Sequence, residues 1–284
     1  MGANVVFTAL ELFAKQLVAE EGMSPIQVLW VRAVFTLAAL PILLRRSPLS
    51  IARTPRPGMQ AVRGLLLLGA GLAFFFSLQA VPLADAVAIV FVSPLFMTAI
   101  AAFFLAEVVG WRRWSACIVG FAGALLIIQP GMGIRHWMYA LPLFDALFSA
   151  VYVVLTRMVG RHDSAWTSLF WSVLAAGAIL TLAQPWVWSP PTLQQWGMLA
   201  GISAASLVAH FCHIRAFAEG EASLMAPLSY IHVVFTTAGA WLVFGTLPDA
   251  MAGAGIVLIV GAGLYILHRE TIRRGRPRPP PLPG

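Results

Sequence analysis

The chain has 284 residues, of which 60% are hydrophobic and 10% charged, and its mean hydropathy is +0.86. A soluble domain carries about 25% charged residues, so this composition excludes an ordinary soluble globular protein and points to a polytopic membrane protein. The net charge of +7 comes from seventeen Arg and one Lys against eleven acids. The basic residues lie between apolar runs, so they read as topology signals rather than as a nucleic-acid surface.

A helix needs roughly 20 apolar residues to cross a hydrocarbon core of about 30 Å. Ten stretches are predicted to do so: 3–19, 26–44, 61–79, 84–105, 114–129, 137–156, 166–184, 196–217, 222–244 and 250–268. The expected fold class is therefore an all-α membrane protein. No basic leader precedes the first run, which is read as a retained helix rather than a signal peptide. Cys117 and Cys212 both lie inside apolar runs, which leaves no disulfide framework and no C-x-x-C motif.

The first span is unusual for its polar content. Asn4, Thr8, Glu11 and Lys15 recur at steps of four, three and four, which places them on one side of a helix. A charged group at the bilayer centre costs roughly 2.5–3.5 kcal/mol on insertion scales, so this stripe is expected to face a protein-lined, water-filled cavity. Glu11 and Lys15 are one turn apart in the favourable order and can pair within the helix. In a cavity they would instead offer a carboxylate to a substrate ammonium and an ammonium to a substrate carboxylate. A structural ion pair, or a Lys15 that snorkels to the interface, is the alternative.

Arg32, near the start of the second span, is expected to brace Glu11 or a backbone carbonyl rather than to bind substrate. Ser77, at the end of the third span, is a candidate for the polar lining, with Gln79 and Ser93 beside it. Pro94 in the fourth span and Pro227 in the ninth remove backbone hydrogen bonds, so each is either a hinge or a static kink. Glycines in the third, fifth and tenth spans are expected to allow close helix packing.

The sixth span repeats the stripe as Asp145, Ser149, Tyr152 and Thr156. Asp145 is either a proton-coupling site or a helix-end acid. The eighth span presents Ser203, Ser206, His210 and His213, and the ninth Ser229, His232 and Thr236. Histidines titrate near neutrality and both donate and accept hydrogen bonds, so these are candidates to hold a carboxylate or relay protons. Interhelical hydrogen bonding, worth about 0.6 kcal/mol on average, is the competing role. Tyr152, Trp171, Tyr230 and Trp241 offer flat faces to a substrate or to neighbouring helices.

The recurring stripe divides the chain into residues 1–130 and 131–268, each with five spans. Five is odd, so the second unit would enter from the opposite side of the membrane, and inverted repeats of this kind suit alternating access. With the N-terminus inside, fifteen arginines, Arg63 among them, fall on the cytoplasmic side against Arg135 on the other. Both termini are therefore expected in the cytoplasm. Residues 269–284 are expected to form a disordered cytoplasmic tail.

Taken in order, Lys15, "LWVRA" (29–33), "QAVPLADA" (79–86), "SPLF" (93–96) followed by Glu107, "RAFAEGEASLMAPLSY" (215–230) and "FGTLPDAMAGAGIVLI" (244–259) carry a resemblance over nearly the whole chain. The sequence resembles the drug/metabolite transporter superfamily, specifically its ten-helix exporters with two inverted EamA-type repeats, including the aromatic amino acid and metabolite exporter branch. Glu107 matches the acidic position of the first repeat. Thr246 stands where the second repeat commonly has Glu, so a role for that acid does not carry over. The resemblance implies a substrate cavity between the repeats of a bacterial inner-membrane protein.

The expected function is secondary export of an amino acid or similar small amphiphilic metabolite. The absence of a Walker A pattern argues against direct ATP use, and no cofactor or metal is expected. The sequence leaves the oligomeric state open. A transporter of sugar phosphates or nucleotide sugars would call for more buried cations than Lys15 and Arg32. A channel, a receptor, or an intramembrane metalloenzyme using His210 and His213 with His232 or Glu219 completes the alternatives; no H-E-x-x-H pattern supports the enzyme.

Overall fold

The computed structural model describes residues 2–104, 110–129, 137–160, 162–219 and 222–274, the side chains of 2, 3, 101, 103, 104, 113, 217–219, 222–231, 266, 267 and 269–274 excepted. Among these residues regular structure is helical throughout, with no strand. In chain order the helices are α1 (Gly2–Lys15), α2 (Pro25–Leu44), α3 (Pro48–Ile51), α4 (Pro57–Ser77), α5 (Leu83–Val90), α6 (Ser93–Phe104), α7 (Trp111–Ile128), α8 (Leu141–Val159), α9 (Ala165–Val187), α10 (Leu193–Glu219), α11 (Ala222–Phe244) and α12 (Ala250–Arg274).

Local chemistry sets several boundaries. Prolines open α2, α3 and α4, where the missing N–H removes no intrahelical bond. Ser164 caps α9 by accepting from the Thr167 amide at 3.1 Å. Arg45 and Gln129 end α2 and α7 in left-handed conformation, at φ 49° and 48°.

Among the described residues, six helical stretches are long and apolar enough to cross a membrane: Pro25–Leu44, Pro57–Ser77, Leu83–Ile100, Trp137–Val159, Ala165–Val187 and Leu193–Ala216. Trp114–Ile128, His232–Phe244 and Ala250–Tyr265 are shorter apolar helices, and α1, whose 14 residues include Glu11 and Lys15, belongs to neither set. The apolar residues on the outer faces of the helices, such as Val208, Val234, Leu242 and Val257, are exposed as a lipid-facing surface requires.

Three features depart from the spans read along the chain. After α1 the helix loosens into one π-type turn, Gln16–Glu20, in which the Glu21 amide reaches the Gln16 carbonyl at 3.0 Å. The fourth span is split: α5 stops at Val90, and a tight turn through Phe91 and Val92 leads into α6. Pro94 is the second residue of α6, not the interior of a continuous helix, and at that position its missing N–H costs nothing. By contrast α11 runs unbroken past residue 227, and α12 continues beyond residue 268 to Arg274.

The principal packing pairs are α7 with α12, α4 with α8, α2 with α9 and α1 with α10; α4 also packs on α9, α2 on α10, α1 on α11, α6 on α8 and α5 on α11. A large apolar core runs through the centre, with Leu10 and Ala14 of α1, Leu29 of α2, Phe75 of α4 and Ile89 of α5 among its members. A smaller cluster of Leu40, Ile51, Leu169, Phe170 and Ile214 lies at one end of the bundle.

Glycine is required where α7 meets α12. A Cβ on Gly123 would lie 2.7 Å from the Gly255 carbonyl oxygen, and a Cβ on Gly255 would be closer still to that of Gly123. Gly253, on the same helix, has nothing within 4 Å of such a Cβ. Gly123→Ala is therefore expected to destabilise the protein by about 1–3 kcal/mol, the usual range for overpacking, and to lower the unfolding midpoint in detergent. Gly253→Ala is expected to leave it unchanged; equal behaviour of the two variants would contradict the close approach.

Candidate functional site

The polar stripe of α1 is turned inward. Glu11 is buried, and its Oε2 accepts a hydrogen bond from Thr236 Oγ1 of α11 at 3.0 Å. His232 Nε2 approaches the same oxygen at 3.1 Å, an ion-pair distance without hydrogen-bond alignment. One turn earlier, Thr8 Oγ1 lies 3.3 Å from Thr236 Oγ1. Asn4 continues the same face, half-buried. Thr236 and His232 meet α1 together because they are four residues apart on α11 and so share a face.

Phe7 organises the histidines. Its ring meets His210 and His213 of α10 edge-on, at 5.4 and 5.7 Å between centroids, and His232 at 6.1 Å. Phe91, in the turn between α5 and α6, packs on the other side of His232 at 6.0 Å. His210 Nδ1, like His232 Nε2, is buried without a hydrogen-bond partner among the described residues, which leaves two polar atoms in this cluster with unused capacity. Asp145 of α8 is buried and accepts from Ser149 Oγ at 2.8 Å.

Lys15 has other partners than Glu11. Its Nζ donates to the carbonyls of Leu78 and Val81, at 2.7 and 3.0 Å, and Glu20 is the acid within its electrostatic reach. An ammonium is drawn to carbonyls that a helix end leaves without intrahelical partners, and α4 ends at Ser77, just before them. The π-type turn brings Lys15, Gln16 and Glu20 to the edge of a cleft of about 450 Å³, whose lining also includes Gln79, Pro82 and Thr246. The acid and the base of the first span are thus placed in two neighbouring sites, a buried cluster and an open cleft.

The other candidates are distributed as follows. The Arg32 guanidinium lies 5.4 Å over the Phe75 ring, a cation–π contact. Ser77 is buried and donates to the Phe74 carbonyl at 2.6 Å within its own helix. The Tyr152 hydroxyl accepts from Arg63 Nη1 at 2.9 Å, and Thr156 receives the same nitrogen at 3.4 Å. The second stripe therefore divides, with Asp145 bonded to Ser149 and Tyr152 and Thr156 bonded to Arg63. Trp171 Nε1 donates to the Ala52 carbonyl at 2.9 Å, and Trp241 is exposed on the outer surface. Glu107 lies outside the described residues, as do the side chains of Glu219, Pro227 and Tyr230. Among the described residues no three His, Cys, Asp or Glu side chains gather closely enough to hold a metal ion.

Two participants were not singled out along the chain. Phe7 carried no signal beyond its place four residues before Glu11 on the same face. Arg63, counted with the loop arginines, is fully buried inside α4; its position two residues inside an apolar span was the available sign.

The EamA-like transporter family matches residues 1–129 and 136–268. A pseudopaline exporter of Pseudomonas aeruginosa (strain UCBPP-PA14) is 29% identical over 92% of this chain and 91% of its own. A riboflavin transporter of Vibrio cholerae serotype O1 is 28% identical, covering 97% and 94%, and an S-adenosylmethionine uptake transporter of Rickettsia bellii is 28% identical, covering 77% and 75%. A solved crystal structure with 21% identity superposes at a TM-score of 0.65 over 97% of this chain and 99% of that one, a likeness of fold. The chain belongs to the EamA-like transporter family, in the drug/metabolite transporter superfamily.

Proposed function

We propose that this protein is a secondary transporter that exports an amino acid, or a similar small amphiphilic metabolite, from the bacterial cytoplasm by alternating access. The observation that carries this reading is the Glu11 carboxylate, buried in the bundle and met by Thr236 and His232 rather than by a fixed arginine or lysine. A substrate ammonium can replace such a partnership without breaking a strong ion pair. Thr8, Asn4, His210 and His213 belong to the same proposed binding region. His210 Nδ1 and, once it leaves the Leu78 and Val81 carbonyls, Lys15 are the groups proposed to receive the substrate carboxylate.

The proposed architecture is ten membrane segments in two inverted five-helix units, residues 1–130 and 131–268, with α5 and α6 counted as one segment. The packing supports it. Exchanging the two units turns the α1–α10 pair into α8–α4, α1–α11 into α8 with α5 and α6, and α4–α9 into α10–α2, while α2–α9, α7–α12 and α5–α11 map onto themselves. Each of these pairs is in contact, a correspondence suited to two halves that rock about a shared axis. The proposed placement is the inner membrane with both termini cytoplasmic. Removing buried Arg63 from the loop count leaves fourteen arginines against one on the two sides, fifteen less one, with the same sense.

A second reading keeps the mechanism and changes the cargo. The relatives are named for pseudopaline, S-adenosylmethionine and riboflavin, which supports small metabolites as a class and amino acids no more than others.

Counterflow in proteoliposomes separates these readings, with labelled phenylalanine and other amino acids alongside riboflavin and S-adenosylmethionine, each with and without a pH gradient. Saturable amino acid exchange is expected, reduced at least tenfold in Glu11→Gln with folding intact. Movement of riboflavin or S-adenosylmethionine alone would overturn the amino acid assignment, and wild-type rates in Glu11→Gln would overturn the site. Lys15→Met is expected to raise KM for a carboxylate-bearing substrate more than it lowers the maximal rate. An unchanged KM would remove Lys15 from the site.

A further inference from the structure

Arg63 is fully buried near the start of α4, and among the described residues its guanidinium is held by neutral acceptors. Nε donates to Gln60 Oε1 at 3.0 Å, Nη1 to Tyr152 and Thr156, and Nη2 to Ser172 Oγ at 2.8 Å and to the Ser168 carbonyl. The Tyr152 ring lies 5.0 Å beneath it. The acid of this network, Asp163, is one side chain removed. Gln60 Nε2 donates to Asp163 Oδ2 at 2.8 Å and to Ser168 Oγ at 3.1 Å, while Thr54 Oγ1 donates to the same carboxylate oxygen at 2.7 Å.

The network occupies one end of the bundle, where α4 and α9 begin and α8 finishes. The seam there is tight. A Cβ on Gly64 would lie 2.8 Å from the Trp171 carbonyl oxygen and 2.9 Å from Ala175 Cβ, so α4 and α9 touch through their backbones. Trp166 stacks on Phe211 at 3.7 Å, and the Leu40, Ile51, Leu169, Phe170 and Ile214 cluster fills the same end. The opposite end, where α1 and α4 finish, holds the 450 Å³ cleft at Lys15. Among the described residues, α4, α8 and α9 pack tightly at the first end, and the cleft lies at the second.

The chemistry of the seal suits an element with two states. A guanidinium taken out of water without a touching anion is unfavourable, and hydrogen bonds to hydroxyls and a carbonyl are ones that water can replace. The closed arrangement is therefore stabilised by many neutral contacts and opposed by one buried charge. A full ion pair with Asp163 would remove that opposition.

We propose that Arg63 is the gating residue of the cytoplasmic end. Its hydrogen bonds to Tyr152, Thr156, Ser168 and Ser172 hold α4 against α8 and α9 while the far end is open, and they part when the cytoplasmic end opens. This rests on the orientation and alternating access proposed above.

The test uses full-length protein carrying Cys117→Ala and Cys212→Ala, with one reporter cysteine at a time. Val159→Cys reports the sealed end, since Val159 is fully buried at the end of α8, and Thr246→Cys reports the open cleft. A membrane-impermeant maleimide is applied to each face of membrane vesicles. Tyr152→Phe, which keeps the ring and removes one acceptor, and Arg63→Gln are each expected to raise labelling at position 159 at least fivefold and to lower it at 246. The unfolding midpoint is measured in parallel. Labelling unmoved at both positions, or raised at both together, would overturn the gate, the second outcome marking a merely structural network. The readout needs no substrate, so it fails independently of the transport assay. Amino acid exchange with static labelling removes only the gate, and reciprocal labelling without amino acid exchange supports the gate and removes only the cargo.

Discussion

A carboxylate inside a bundle that faces lipid must find its hydrogen bonds within the protein, because the hydrocarbon supplies none. Glu11 meets that constraint through α11, and much of the centre of the molecule is arranged around the meeting. Thr236 supplies the bond, Thr8 sits against Thr236, and His232 stands at the same oxygen. Phe7 then gathers the histidines of α10 and α11 onto α1. The contact is held by one hydroxyl and one imidazole, partners that a positively charged guest can displace.

A second polar system lies nearer one end. There the buried charge is positive, and it too is met by the protein rather than by an opposite charge. The two systems meet at α8, which packs on α10, the helix of His210 and His213, while its Tyr152 and Thr156 hold Arg63. One helix thus touches both the proposed binding region and the sealed end. A shift of α8 relative to α4 would be felt at both, a physical route by which occupancy and opening are coupled. Lys15 has a comparable position at the other end, bridging α1 to the carbonyls that follow α4.

Much of the architecture was legible along the chain, because the cost of exposing peptide groups to lipid forces long apolar helices and short connections. Glu11, buried, and the three histidines, half-buried, were legible as polar residues turned away from lipid for the same reason. Their grouping was less so. Spacing alone placed Tyr152 on the same stripe as Asp145, yet it lies two turns further along the helix and at that depth meets Arg63 instead. Spacing also brought Lys15 within a turn of Glu11, but the loosened turn after α1 and the carbonyls beyond α4 claim the lysine. Pro94 marked an interruption, although the break falls at Phe91 and Val92, where the chain turns before a proline suited to opening the next helix.

The sequence by itself determined membrane class, helical content and the identity of the costly residues, since each follows from local composition and from the solvent that composition requires. The tertiary structure alone decided which of those residues meet. Glu11 lies 221 positions before His232 and 225 before Thr236 (232 less 11, and 236 less 11), and Arg63 is tied to Ser172 across 109. Contacts of that range depend on how each helix is rotated against its neighbours, and rotation is set by the packing of whole helix faces rather than by any one segment.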